Sequence, residues 1–191
     1  MKYFQALLLF CLLFRPLIEF SQNLQFYRED LTFEIKDAYF YVDGFYDFCN
    51  NSDSSIHQFL FYPFPLDSAY GEVDSINAVD INARSINIIS NKTGKGFYFK
   101  IALKPYGIGK YKLSYRQRLL KNKAEYILLT TQKWGKPFDN ACYKLFTPSL
   151  MKINSISYKP DSVKQTSNKA IYYWNKKDFM PDKNMIIYFS E

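Results

Sequence analysis

Short bursts in which every second residue is apolar, separated by turn-forming residues, constrain this chain more than any other feature of it. In Phe97-Tyr98-Phe99-Lys100-Ile101-Ala102-Leu103-Lys104, the residues Phe97, Phe99, Ile101 and Leu103 fall on one side of an extended backbone. Lys110-Tyr111-Lys112-Leu113-Ser114-Tyr115-Arg116 repeats the pattern, with Tyr111, Leu113 and Tyr115 on the apolar side, and Leu31, Phe33 and Ile35 alternate likewise. Successive side chains of a strand point to opposite faces, so period two with one apolar face means a half-buried β-strand. No stretch of a dozen residues shows the period of an amphipathic helix. Further strands are expected at residues 45–48, 59–62, 73–81, 85–89, 126–131, 142–147, 151–158, 170–174 and 185–189. Asp43-Gly44, Pro63-Phe64-Pro65 and Asn91-Lys92-Thr93-Gly94 read as turns or strand ends. This spacing predicts an all-β fold, an antiparallel β-sandwich that is immunoglobulin-like in the loose sense. The loop Pro105-Tyr106-Gly107-Ile108-Gly109 predicts that the two best-patterned strands pair as a hairpin. With 17 Tyr and 18 Phe, the chain has the material for a substantial core.

The N-terminus follows a different rule. Lys2 precedes nine apolar residues, Ala6 to Phe14, the layout of a secretion signal. A helix of that length spans about 14 Å, against roughly 30 Å for a bilayer core. Arg15, Pro16 and Glu19 sit badly beside a cleavage site, and Ser21-Gln22 is the best small-residue exit. Cys11 follows Phe10, where a lipoprotein signal requires a small residue, so a lipid anchor is not expected. Residues 1–21 are therefore expected to be a signal peptide and 22–191 a single domain, secreted, periplasmic or at the cell surface. No later run is long enough to span a membrane; Tyr126 to Leu129 is closed off by Glu125 and Thr130. Two cysteines remain in the mature chain, Cys49 and Cys142. An even count in an exported protein invites a disulfide, the alternative being two separate buried thiols.

Candidate chemistry is sparse. His57 is the only histidine, and it lies beside a polar loop, where a surface role is the default for it. One histidine and two cysteines do not supply the spacing of a zinc site. Asp37, Asp43, Asp47 and Asp53 are spread over strand and turns and lack the compact loop of a calcium hand. Gly94-Lys95-Gly96 reads as a hairpin turn, with no helix after it to hold a phosphate. The chain is accordingly not expected to be an enzyme or to carry a cofactor or metal. Trp134, in Trp134-Gly135-Lys136-Pro137, is either a stacking platform for a ligand or a packing residue; Trp174 reads as core or rim.

Charge is laid out in blocks. From Arg28 to Ala83 there are 11 acidic and 2 basic residues, and from Arg84 to Lys123 there are 11 basic and none acidic. Acidic strands beside basic ones would give cross-strand pairs. Alternatively Lys100, Lys104, Lys110, Lys112, Arg116 and Arg118 form one cationic face for an anionic polysaccharide, a lipid headgroup or an acidic protein. Nucleic acid does not suit an exported chain.

Four segments, in order, carry a resemblance: Gly44-Phe45-Tyr46-Asp47-Phe48-Cys49-Asn50-Asn51-Ser52, Phe61-Tyr62-Pro63-Phe64-Pro65-Leu66-Asp67, Leu113-Ser114-Tyr115, and Trp174 with Phe179-x-Pro181. They resemble exported bacterial β-sandwich domains of unknown function, in which a strand ending in N-x-S precedes an FPxP strand end. The resemblance implies a fold and a compartment and carries over no catalytic residue. The function expected is a non-catalytic binding or assembly module. The alternatives are a hydrolase with an unrecognised carboxylate site, or a structural subunit that uses sheet edges for strand addition. N-terminal sequencing of the exported protein should begin between Phe20 and Leu24; an intact Met1 in the extracytoplasmic fraction would contradict export.

Overall fold

A computed structural model describes residues 23–83 and 85–190, so the expected signal peptide lies outside the described residues. The strands are β1 (Leu24–Lys36), β2 (Tyr39–Asn50), β3 (Ile56–Pro63), β4 (Tyr70–Asp80), β5 (Ser85–Ile86), β6 (Ile89–Thr93), β7 (Gly96–Leu103) and β8 (Ile108–Leu119). After β9 (Lys123–Tyr126) comes a 3-10 helix, Leu129–Trp134. Then follow β10 (Phe138–Pro148), β11 (Lys152–Ile156), β12 (Ser162–Gln165), β13 (Lys169–Phe179) and β14 (Met185–Ser190). Eight strands form one sheet in the order β12-β13-β10-β1-β2-β8-β4-β5. Two three-stranded sheets, β3-β7-β6 and β11-β14-β9, pack on its inner face through contacts such as Tyr46 with Tyr62 and Phe33 with Tyr126. Among the described residues no helix is long and apolar enough to cross a membrane.

Alternation sets the inner faces. Tyr111, Leu113 and Tyr115 of β8 are buried, and so are Phe97, Phe99, Ile101 and Leu103 of β7. In β1 the parity changes once: the register slips between Phe26 and Arg28, so Leu24 and Phe26 point inward ahead of the bulge and Glu29, Leu31, Phe33 and Ile35 after it. That one extra residue places an apolar ring and a carboxyl on the same face, close together.

Several expectations require correction. The large sheet is mixed, because β1 pairs with β10 in parallel, from Arg28 opposite Asn140 to Glu34 opposite Phe146. The intervening chain crosses through the other layer, as a parallel pair demands. Its division into eight, three and three strands also differs from the two sheets of an immunoglobulin domain. Strands β7 and β8 do not form a hairpin, since β7 belongs to a small sheet and β8 to the large one. Their apolar faces oppose each other instead: the Ala102 N–H donates to the Tyr111 hydroxyl at 3.1 Å, across the two layers. Asp43-Gly44 is not a turn but mid-strand, with Gly44 opposite Leu31 and Leu113. A Cβ on Gly44 would run into the Leu31 side chain and come within 3.0 Å of the Tyr46 ring, so close packing explains the glycine.

The disulfide is likewise overturned. Cys49 and Cys142 are both free thiols. They lie on β2 and β10 with β1 between them, Cys49 opposite Gln25 and Cys142 opposite Asp30. Two strand spacings of about 4.8 Å alone exceed the span a disulfide can bridge.

Candidate functional site

The covering layer is split. β3 and β9 are neighbouring edges of the two small sheets, in van der Waals reach through Tyr62 and Tyr126 but not hydrogen-bonded as strands. Where they part, a cavity of about 250 Å³ opens onto the large sheet. Its floor is Phe26, Glu29, Tyr46, Phe48 and Leu113; Leu60, Phe61 and Tyr62 of β3 form one wall, with Phe99 behind them. Tyr126, Ile127, Thr130, Thr131, Lys133 and Trp134 form the other.

The second wall is held rigidly for a reason visible in its hydrogen bonds. Oδ1 of Asn184 accepts from the Leu128 and Leu129 N–H groups at 3.1 Å each, taking the place of a helix cap. The Gln132 side chain donates to the Pro181 carbonyl at 2.8 Å. Gly135, at φ 69°, closes the helix in the left-handed conformation that suits glycine. Trp134 is thereby fixed against the floor, its ring centroid 6.0 Å from Phe26 and 5.7 Å from Phe48. It packs and lines the cavity at once.

Glu29 is the unusual group. It is 1% exposed, and the hydroxyl of Tyr143 donates to its Oε1 while that of Tyr126 donates to Oε2 at 3.4 Å. Tyr46 shares hydrogen bonds with Tyr126 at 3.1 Å and with Tyr62 at 2.8 Å, so a line of phenols runs from the carboxyl to β3. Loss of hydration disfavours the carboxylate and pushes the Glu29 pKa up to about 8; the two phenol donors only partly offset this. At neutral pH the folded protein therefore carries a buried carboxylic acid, and in that state one of the two phenol oxygens accepts the acid's proton instead of donating its own. Burial also raises the four phenols Tyr46, Tyr62, Tyr126 and Tyr143 well above their ordinary value. The buried hydroxyl of Tyr115, whose ring packs on Tyr62 and Phe64, has no hydrogen-bond partner among the described residues.

Of the residues singled out from sequence, Trp134 lines this cavity and the cations do not. Because β7 and β8 face each other, their outward residues point away from one another: Lys100 lies on the outer face of a small sheet, and Lys110, Lys112, Arg116 and Arg118 on that of the large sheet. Lys104 is exposed beyond the end of β7. Lys112 pairs with Asp43 at 3.1 Å and Arg116 with Asp74 at 2.6 Å, while Lys110 sits over the Phe45 ring at 4.7 Å. Among the described residues Lys100, Lys104 and Arg118 make no ion pair. His57 is exposed on β3; Asp37 lies between β1 and β2, Asp53 follows β2, and Asp43 and Asp47 of β2 face Lys112 and Arg28. No group of three His, Cys, Asp or Glu able to hold a metal occurs among the described residues. Trp174 is core, with its indole N–H donating to the Tyr158 carbonyl at 2.9 Å. Glu29 and its tyrosines escaped sequence reasoning, although Glu29 shares the parity of Leu31, Phe33 and Ile35.

No protein-family model and no curated protein matches the chain. Among solved structures it is similar to a Legionella pneumophila protein provisionally named a nutrient binding protein, with 10% identity and a TM-score of 0.69 over 87% of this chain and 67% of that one. It is also similar to an M1 zinc metallopeptidase from Deinococcus radiodurans, with 8% identity and a TM-score of 0.53 over 88% of this chain and 43% of that one. A mutant of that enzyme bound to a Tyr-Ser-Ala substrate gives 12% identity and a TM-score of 0.53, covering 87% and 42%. The chain thus spans under half the length of the peptidases. At such identities the likeness is one of fold.

The protonated Glu29 has a consequence for stability. Its pKa is near 4.5 in an unfolded chain and about 8 when folded, so its contribution is fully present below pH 4.5 and is lost as pH rises through 8. Glu29→Gln keeps the shape and the neutral state, and should flatten this decline by up to about 5 kcal/mol. Urea unfolding at intervals between pH 4.5 and 8 measures it. Identical pH profiles for the two proteins would mean that Glu29 is ionised in the fold.

Proposed function

We propose that the chain is an exported, non-catalytic binding module that takes a small molecule into the cleft between β3 and β9. One observation carries this reading: a cavity of about 250 Å³ walled by aromatic rings, with a single buried carboxyl and a line of phenol hydroxyls at its floor. Apolar walls with a few convergent polar groups are the usual makeup of a small-molecule site. Export rests on the N-terminal layout of Lys2 and the apolar run after it. The provisional name of the Legionella protein is of the same kind as this reading.

Docking of an anionic partner on a shared basic face has less support. Its six cations lie on different surfaces, and Lys112 and Arg116 are already ion-paired. For a hydrolase, two converging carboxylates would be the expected sign, and Glu29 is the one carboxylate among the residues lining the cavity. For strand addition, the two edges of the large sheet, β12 and β5, are only four and two residues long, and the longer edge strand β3 is faced by β9 through Tyr62 and Tyr126.

Thr130 lines the cavity and is partly exposed, so Thr130→Phe should fill the cleft without opening the core. A fragment library screened by thermal unfolding should yield compounds that stabilise the protein by about 2.7 kcal/mol at one hundred times their Kd. The same compounds should fail to shift Thr130→Phe. Hits that stabilise both proteins equally would place binding elsewhere.

A further inference from the structure

We infer that the occupant of the cleft is a hydrophobic amine, bound as its ammonium ion, with the cationic head against Glu29 and the body among the aromatic rings. The inference rests on the cleft being the binding site and adds the chemical class of the ligand. An ionised carboxylate offers about four acceptor positions on its two oxygens. The Tyr143 and Tyr126 hydroxyls take one on each oxygen. The positions left over suit an ammonium, which carries donors and no acceptor. Phe26, Tyr46, Phe48, Tyr62, Tyr126 and Trp134 all line the same space, and ring faces attract a cation most strongly where water is excluded. An anionic head would be repelled by the carboxylate and the negative ring faces, and an uncharged one could hydrogen-bond the carboxyl but would gain no charge attraction from either. A dry cavity of about 150 Å³ accepts benzene, so this one has room for a phenyl-sized body and a short chain.

Binding of this kind moves a proton. In the empty cleft Glu29 keeps its proton up to about pH 8. A cation in contact favours the charged carboxyl. The acid and the ammonium ion therefore give a carboxylate–ammonium pair and one proton released to solvent. The groups facing Glu29 do not compete for that proton. Tyr143 of β10, Tyr126 of β9 and, beyond them, Tyr46 of β2 and Tyr62 of β3 remain neutral, because burial raises each far above the usual phenol range. Lys133 is exposed at the rim, where solvent screens it. Arg28 and Asp47 pair at 3.9 Å on the outer side of the sheet, and Asp30 alternates onto that side as well.

Titration calorimetry of the mature chain with phenethylammonium and with its uncharged counterpart 3-phenylpropan-1-ol tests this. The amine should bind at least tenfold more tightly at neutral pH. Its affinity should rise about tenfold per pH unit up to pH 8 and level off above it, and runs in two buffers of different ionisation enthalpy should count one proton released. Glu29→Gln should remove both the preference and the pH dependence. Equal binding of amine and alcohol would overturn the inference while leaving the cleft as a binding site. Binding of neither probe would overturn both.

Discussion

A carboxyl buried where three sheets meet is the constraint on which this structure turns. Glu29 belongs to the large sheet, Tyr126 to β11-β14-β9, and Tyr62, reached through Tyr46, to β3-β7-β6. A carboxyl stripped of water is costly unless it is hydrogen-bonded and neutral, and this one is both. Its partners must therefore stay where they are, and that requirement fixes how the two covering sheets sit on the large one. The cleft is a by-product of the same arrangement. β3 and β9 are tied together through phenol hydroxyls rather than backbone pairing, and side chains long enough to reach across leave a gap beside them.

Alternation along the strands made much of this legible. It assigned the inner faces of β7 and β8 residue by residue, and applied to Glu29 it would have predicted burial, since Leu31, Phe33 and Ile35 share its parity. What alternation does not encode is partnership. Two consecutive strands with matching apolar faces satisfy it as a hairpin or as an arch between layers, and β7 and β8 take the arch. The parallel pairing of β1 with β10 depends on contacts far apart in sequence, and with it went the supposed bridge between Cys49 and Cys142. The bulge after Phe26 leaves no mark in composition, yet it brings Phe26 and Glu29 onto one floor.

The blocks of charge have a plainer explanation than their sequence suggested. β8, rich in cations, lies between β2 and β4, both of which carry acidic residues, so Lys112 meets Asp43 and Arg116 meets Asp74. Arg116 holds the Asp74 carboxyl below its ordinary range. Pairs this exposed contribute little to stability, and their effect is to spare neighbouring strands like-charge repulsion. Lys112 and Arg116 on the outer face of the large sheet have carboxylate partners, while Glu29 on the inner face is in no ion pair among the described residues. That contrast is why the cleft, rather than the basic strand, is the place to look for function.

The ionisation state of Glu29 is the most direct test of this account. With glutamate labelled at the side-chain carboxyl carbon, NMR titration of the ligand-free protein follows that one group through its pH range. A midpoint near pH 8 is the result the buried, phenol-bonded acid predicts. A midpoint near 4.5, the value of an unperturbed glutamate, would mean that the carboxyl is solvated, and the joint between the three sheets would not be as described.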